Sequence, residues 1–315
     1  MATAGEPRLK KKATAALLGL SGLWALSGVR ADLLPNLFPA GQGRSEFAGQ
    51  AATLALFALV AGAMCVLRGP YKPDRVLVVR AALVGLGLFF LPGLVFHFAR
   101  TQVSDFTRVT LVALVPVLVV VLEPHIGRRV VGIGSTQLVA SLAALAGTLC
   151  VFPFDLPSDF ASALALGAVV VAVFSIASVN CWASEILREG DRKEVWLFAG
   201  IAAGTSAIAF AVAGLLAREP LTAPLHAAPG LLWTVLVDVP ALGLLFYVLR
   251  ALPAVATATR FLFAPLIANL ISIALLRPHV DVRAGLGLAM IAAGAGWLLL
   301  APAQSVDFQT ISSAR

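Results

Sequence analysis

Charge is scarce in this sequence. Asp, Glu, Lys and Arg together make up 12% of its 315 residues, about half the share found in soluble domains. A soluble fold of this length could bury a large core, but its surface would lack the charge that water demands, so a soluble globular domain is excluded. Cysteine is nearly absent: Cys65, Cys150 and Cys181 each lie inside an apolar run and share no disulfide or metal-ligand spacing. There are four histidines, none in the helical His-Glu zinc pattern, and no closely spaced carboxylates to hold magnesium and a diphosphate. Basic stretches interleaved with aromatics, which bind single-stranded nucleic acid, are missing too. No cofactor, metal or nucleotide signature is visible, so ATP is not expected to drive the protein directly.

What the chain has instead is apolar length. Hydrophobic residues reach 60% and mean hydropathy is +0.95. Ten runs have the roughly 17 to 25 residues that cross a bilayer: 13–29, 48–67, 80–98, 104–122, 131–151, 161–184, 195–216, 229–249, 254–276 and 284–301. The connecting segments are short and hold the turn formers, as in "RGPYKPDR", "EPHIGRR", "PFDLPSD" and "REGDRK". In lipid every backbone polar group needs a partner within the protein, so these runs must be helices. The basic start, apolar run and small residues of 1–33 imitate a secretory signal. A retained first helix is expected instead, because removing it would break the repeat described next.

Lys and Arg are unevenly shared between the two sets of loops. With the N-terminus in the cytoplasm, 16 fall inside and seven outside, which predicts cytoplasmic N- and C-termini. The two halves of the chain also match. The third run ends "FLPGLVFHFAR" and the eighth "DVPALGLLFYVLR"; Pro92 and Pro240 precede Arg100 and Arg250. Arg108 and Pro116 then correspond to Arg260 and Pro265, and the fifth and tenth runs are both rich in Gly and Ala. Five helices repeated must enter the membrane upside down the second time, a construction common among secondary transporters. The expected fold is an all-α membrane protein of ten transmembrane helices. Residues 13–151 and 159–301 form its two inverted five-helix repeats, with cytoplasmic tails at 1–12 and 302–315.

The stretch "VLRALPAVATATRFLFAPLIANLISIALLRP", followed by "GLGLAMIAAGAGWLLL", resembles the last two helices of the drug/metabolite transporter superfamily, in its ten-helix EamA-type branch. "LLGLSGLWALSGV" is similar to that family's first helix. Where the family often has Glu before the proline of the ninth helix, this chain has Ala264, and Arg277 stands where an acidic residue is common. The resemblance implies alternating-access transport of a small organic metabolite in the export direction, and the short loops and lack of a targeting segment make a bacterial inner membrane the expected location.

The candidate site begins at Asp238. A charge at mid-bilayer costs at least about 2.5–3.5 kcal/mol, and such residues usually face a protein-lined or watery cavity. Thr234, Asp238 and Ala241 share one small, polar helix face. Pro240 lacks an N–H and frees the carbonyl of Leu236. As its surroundings alternate between wet and dry, Asp238 is expected to bind and release a proton. From the turn between the eighth and ninth runs, Asp238 and Arg260 lie at depths of about 16 and 9 Å, a gap a long arginine can close. A structural ion pair is therefore expected as the alternative to a functional site or as part of it. Pro92 and Pro240 are read as paired helix breaks lining the cavity. Asn180 and Asn269 are candidates to read a substrate group or to bond across helices, Trp24 to stack on substrate or to pack, and His97 to relay protons. Asp105 and Arg108 are read as a gate or an interface anchor, and "GIAAG" at 200–204 as a packing face. "GLSG" at 19–22 imitates a membrane protease nucleophile, but that chemistry needs a histidine base in reach, and none lies at matching depth. A non-transporting accessory subunit or a lipid translocator is the rival reading, ahead of an intramembrane enzyme.

Overall fold

The computed structural model describes residues 6–33, 46–68, 73–126, 134–219, 228–276 and 281–300. The 302–315 tail, the first five residues, His226, Arg277 and His279 lie outside them. Among the described residues there is no strand, as expected where lipid forbids unpaired backbone. The apolar runs form ten helical rods: α1 (Glu6–Leu33), α2 (Glu46–Leu67), α3 (Arg75–Ala99), α4 (Asp105–Ile126), α5 (Ser135–Val151), α6 (Phe160–Glu189), α7 (Arg192–Leu216), α8 (Gly230–Ala251), α9 (Ala254–Leu276) and α10 (Val282–Leu300). Nine of these described helices are long and apolar enough to cross a membrane; α5, with 17 residues, is the shorter one. The chain is a multi-pass membrane protein.

Large apolar side chains point outward from the bundle. Leu59 is 71% exposed and Leu164 66%, positions suited to lipid contact. Burial inside the bundle therefore gives little hydrophobic gain, and close approach must hold the helices together. The contacts follow that rule. α2 packs along α7 and α5 along α10. A methyl group at Gly85 of α3 would collide with the carbonyl oxygen of Ala202 in α7, so only glycine allows that crossing. Gly147 of α5 and Gly287 of α10 meet the same way, each with its missing Cβ under 3 Å from the other's carbonyl oxygen. Gly200 and Gly204 face Ala61 and Ala58 of α2, so "GIAAG" is a packing face.

Other contacts come in matched sets. α1 lies against α8 and α9, while α6 lies against α3 and α4; α3 touches α7 as α8 touches α2. The turns divide between two ends of the bundle. At one, Ser104 Oγ donates to Asp155 Oδ2 at 2.6 Å and the backbone N–H of Asp155 donates to Thr107 Oγ1. At another, Arg250 donates to the carbonyl of Gly190. Asp159 caps α6 by accepting from the N–H of Ser162 at 2.7 Å.

Four rods depart from regular α-helix. α3 widens into a π turn at Leu86–Phe90, and α8 does the same at Thr234–Asp238. In each, one N–H reaches five residues back: Leu91 to Leu86 and Val239 to Thr234. Pro92 and Pro240 follow directly. A proline cannot bond the carbonyl four residues behind and its ring collides with it; the wider turn opens room for the ring. The helices run on through both prolines, so wide turns stand where paired breaks are expected. The interruptions fall instead at Ala113–Leu114 in α4 and at Thr259 in α9, where bonds tighten to three residues, Leu114 to Leu111 and Leu262 to Thr259.

Candidate functional site

The π turn of α8 brings Asp238 to α1. Its Oδ1 accepts from Ser27 Oγ at 2.8 Å, and Ser27 Oγ accepts in turn from Trp233 Nε1 at 3.1 Å. Thr234, one turn back on the same helix, and Arg30, three residues past Ser27, are its other polar neighbours. Asp238 and Thr234 are half-buried and Ala241 is fully buried.

Arg260 does not meet Asp238. No ion pair joins them, which corrects the expected one. Depth alone allowed the contact, but the Arg260 side chain is turned toward α6 and α1. Its Nη1 donates to Asn180 Oδ1 and to the carbonyl of Thr257, both at 2.8 Å. The guanidinium carbon lies 4.4 Å from the Phe261 ring centroid and 5.6 Å from that of Trp24, within range of a cation–π attraction. Arg260 is 0% exposed, and its Nε and Nη2 have no hydrogen-bond partner. Native proteins seldom leave buried donors in that state.

Asn180 is buried and fully engaged, since its Nδ2 donates to the carbonyl of Ala254 at 3.1 Å while Oδ1 holds Arg260. It therefore orients the arginine. Asn269 Nδ2 donates to the carbonyl of Pro265, one turn back on its own helix, at 2.8 Å. Trp24 packs beside Phe261 with ring centroids 6.1 Å apart. Trp24 and Ser27 are three residues apart on α1, so Arg260 and Asp238 meet residues about one turn apart on that helix.

His97 belongs to another place. Its ring is 4.2 Å from Phe47 and 5.2 Å from Phe98. It lines a cleft of about 550 Å³ with Gln50, Phe96, Arg100, Asp105 and Arg108. Arg108 pairs with Asp105 and donates to the carbonyl of Phe96, tying α4 to α3. His125 is in the last turn of α4.

Ser27 is the partner that sequence reasoning misses. A serine among Gly, Ala and Leu looks like a packing residue, and its position one turn past Trp24 is the only signal. Thr257 contributes through its backbone carbonyl, which no side-chain pattern announces.

No family model matches the chain, and no curated protein does. One crystal structure, described as "Crystal structure of protein", aligns with 92% of this chain and 98% of its own at a TM-score of 0.72 and 17% identity. At that identity the likeness is one of fold: the chain shares its helical architecture with a solved protein across nearly the full length of both.

Proposed function

We propose that the protein carries a small organic metabolite across the cytoplasmic membrane by alternating access. Residues 13–151 and 159–301 act as two inverted five-helix halves, α5 spans with the other nine helices, and both termini are cytoplasmic. The observation that carries this reading is the pair of proline-linked π turns, Leu86–Phe90 in α3 and Thr234–Asp238 in α8. Irregularities at corresponding places in two halves are the best pointer to a transporter's binding site, and one of these holds a carboxylate. Matched contacts support the halves: a swap of each helix for the one five places on turns the α1–α9 contact into α6–α4 and the α1–α8 contact into α6–α3.

In this reading Asp238 is the proton-binding group, released and recaptured as Ser27 and Thr234 hold or lose its carboxylate. Arg260, Asn180 and Trp24 form the second wall. Export is the direction implied by the resemblance to the drug/metabolite transporters. The test is uptake and counterflow of labelled metabolites in proteoliposomes. Saturable movement of at least one class, above protein-free vesicles, supports a carrier. Movement of fluorescent lipid between leaflets without metabolite flux supports a lipid translocator, and neither activity supports an accessory subunit.

A further inference from the structure

We infer that the free edge of Arg260 is a docking edge for an anionic group, a carboxylate or a phosphate, on the molecule the protein carries. This rests on the transporter reading and names its substrate class. In a guanidinium, Nε–H and Nη2–H lie side by side on one edge and point the same way. That edge fits the two oxygens of a carboxylate or phosphate with two parallel charge-assisted bonds. In Arg260 these two nitrogens are the ones without partners. The opposite nitrogen, Nη1, is the one that Asn180 Oδ1 and the Thr257 carbonyl hold at 2.8 Å. The protein thus fixes the head by one corner and leaves the bidentate edge without a partner.

The electrostatics point the same way. Arg260 is fully buried, and no carboxylate of a described residue lies within ion-pair distance of it. Asp238, the acidic group expected there, accepts from Ser27 Oγ instead. The rings of Phe261 and Trp24 cover the guanidinium, shielding it from lipid without neutralising it. A buried cation with no counter-ion and two nitrogens left without acceptors is unfavourable. A ligand that brings the missing charge and the two missing acceptors relieves both costs at once. In this structure both nitrogens of the edge are buried.

The experiment uses the purified full-length protein in detergent micelles and reads thermal unfolding and tryptophan fluorescence. The probes are acetate and inorganic phosphate, against chloride at equal ionic strength, with phosphatidylglycerol-doped micelles as a separate arm. The variants are Arg260→Gln, which removes the edge, and Asn180→Asp, which supplies a resident counter-charge while giving up the Nδ2 bond to the Ala254 carbonyl. Expected is saturable stabilisation of the wild type by an anion, with apparent affinity about tenfold to a hundredfold weaker in both variants, the loss that goes with bonds to a charged group. A response to acetate or phosphate assigns the group to a soluble organic anion; a response to phosphatidylglycerol alone assigns it to a lipid headgroup. No stabilisation, or stabilisation equal in all three proteins, overturns the inference. Carrier function fails separately. Flux of neutral or cationic metabolites without anion binding leaves the transporter standing and removes this edge. Arg260-dependent anion binding with no flux of any class does the reverse.

Discussion

Replacing Asp238 by Asn should leave the protein folded and uncouple it from protons. The side chain keeps its size, and Asn Oδ1 can still accept from Ser27 Oγ, now 2.8 Å from the carboxylate. A hydrogen bond to a charged group contributes about 1.5–3 kcal/mol and a neutral one about 0.5–1.5, so the exchange costs about 1 kcal/mol, less where Asp238 is half-open to its surroundings. A margin of about 5–15 kcal/mol absorbs that loss. The functional effect is larger. One proton moving down a gradient of one pH unit provides about 1.4 kcal/mol, enough for a tenfold concentration ratio of cargo. In proteoliposomes with such a gradient, the wild type should approach that ratio while Asp238→Asn equilibrates at unity. Counterflow, which needs no net proton movement, should persist in the variant. Accumulation by Asp238→Asn at the wild-type level, with an unchanged pH profile, would refute the reasoning and leave the aspartate a structural residue.

Other consequences can be checked more simply. Gly85→Ala places a methyl against the Ala202 carbonyl; the overpacking, about 1–3 kcal/mol, should exceed the gain in helix propensity and lower the unfolding temperature in detergent. Asn180→Ala strips Nη1 of Arg260 of one acceptor and the Ala254 carbonyl of its Asn180 donor, and should cost about 2 kcal/mol or more, read by the same melt. Asp159 is held below the ordinary carboxylate range by the N–H and hydroxyl of Ser162. Its cap stabilises above the unfolded-state pKa and is lost as pH falls through the lower folded value. Asp159→Ala should therefore melt earlier than wild type at neutral pH and together with it in strong acid. A reporter fused after Arg315 should be active in the cytoplasm; activity only on the outer face would reverse the charge-count topology.

The helices were legible because twenty apolar residues in a row leave the backbone no other choice. Their ends were less so. α1 begins at Glu6, well before the apolar run at 13, since hydrogen bonding along a helix does not stop where lipid does and Lys10 to Lys12 are good helix formers. The prolines gave place but not form: Pro92 and Pro240 each demand relief from the preceding turn, and a kink or a widened turn provides it equally well. Asp238 stood out because a carboxylate in an apolar run is costly. Its partner did not, because residues on α1 and α8 are 211 apart in sequence. The Arg260 error has a similar root. Distance along the helix axis was available from counting, but rotation about it was not. That rotation sends the side chain to Asn180, 80 residues away.

Access to the Asp238 region from both sides of the membrane tests the central claim most directly and needs no known cargo. The three native cysteines would be replaced, Thr234→Cys introduced beside Asp238, and labelling by a membrane-impermeant maleimide compared in right-side-out and inside-out vesicles. Leu59→Cys, on the lipid-facing side of α2, is the unlabelled control. An alternating-access carrier predicts labelling at residue 234 in both vesicle orientations and none at 59. Labelling at 234 from one side only, or from neither, would contradict the account.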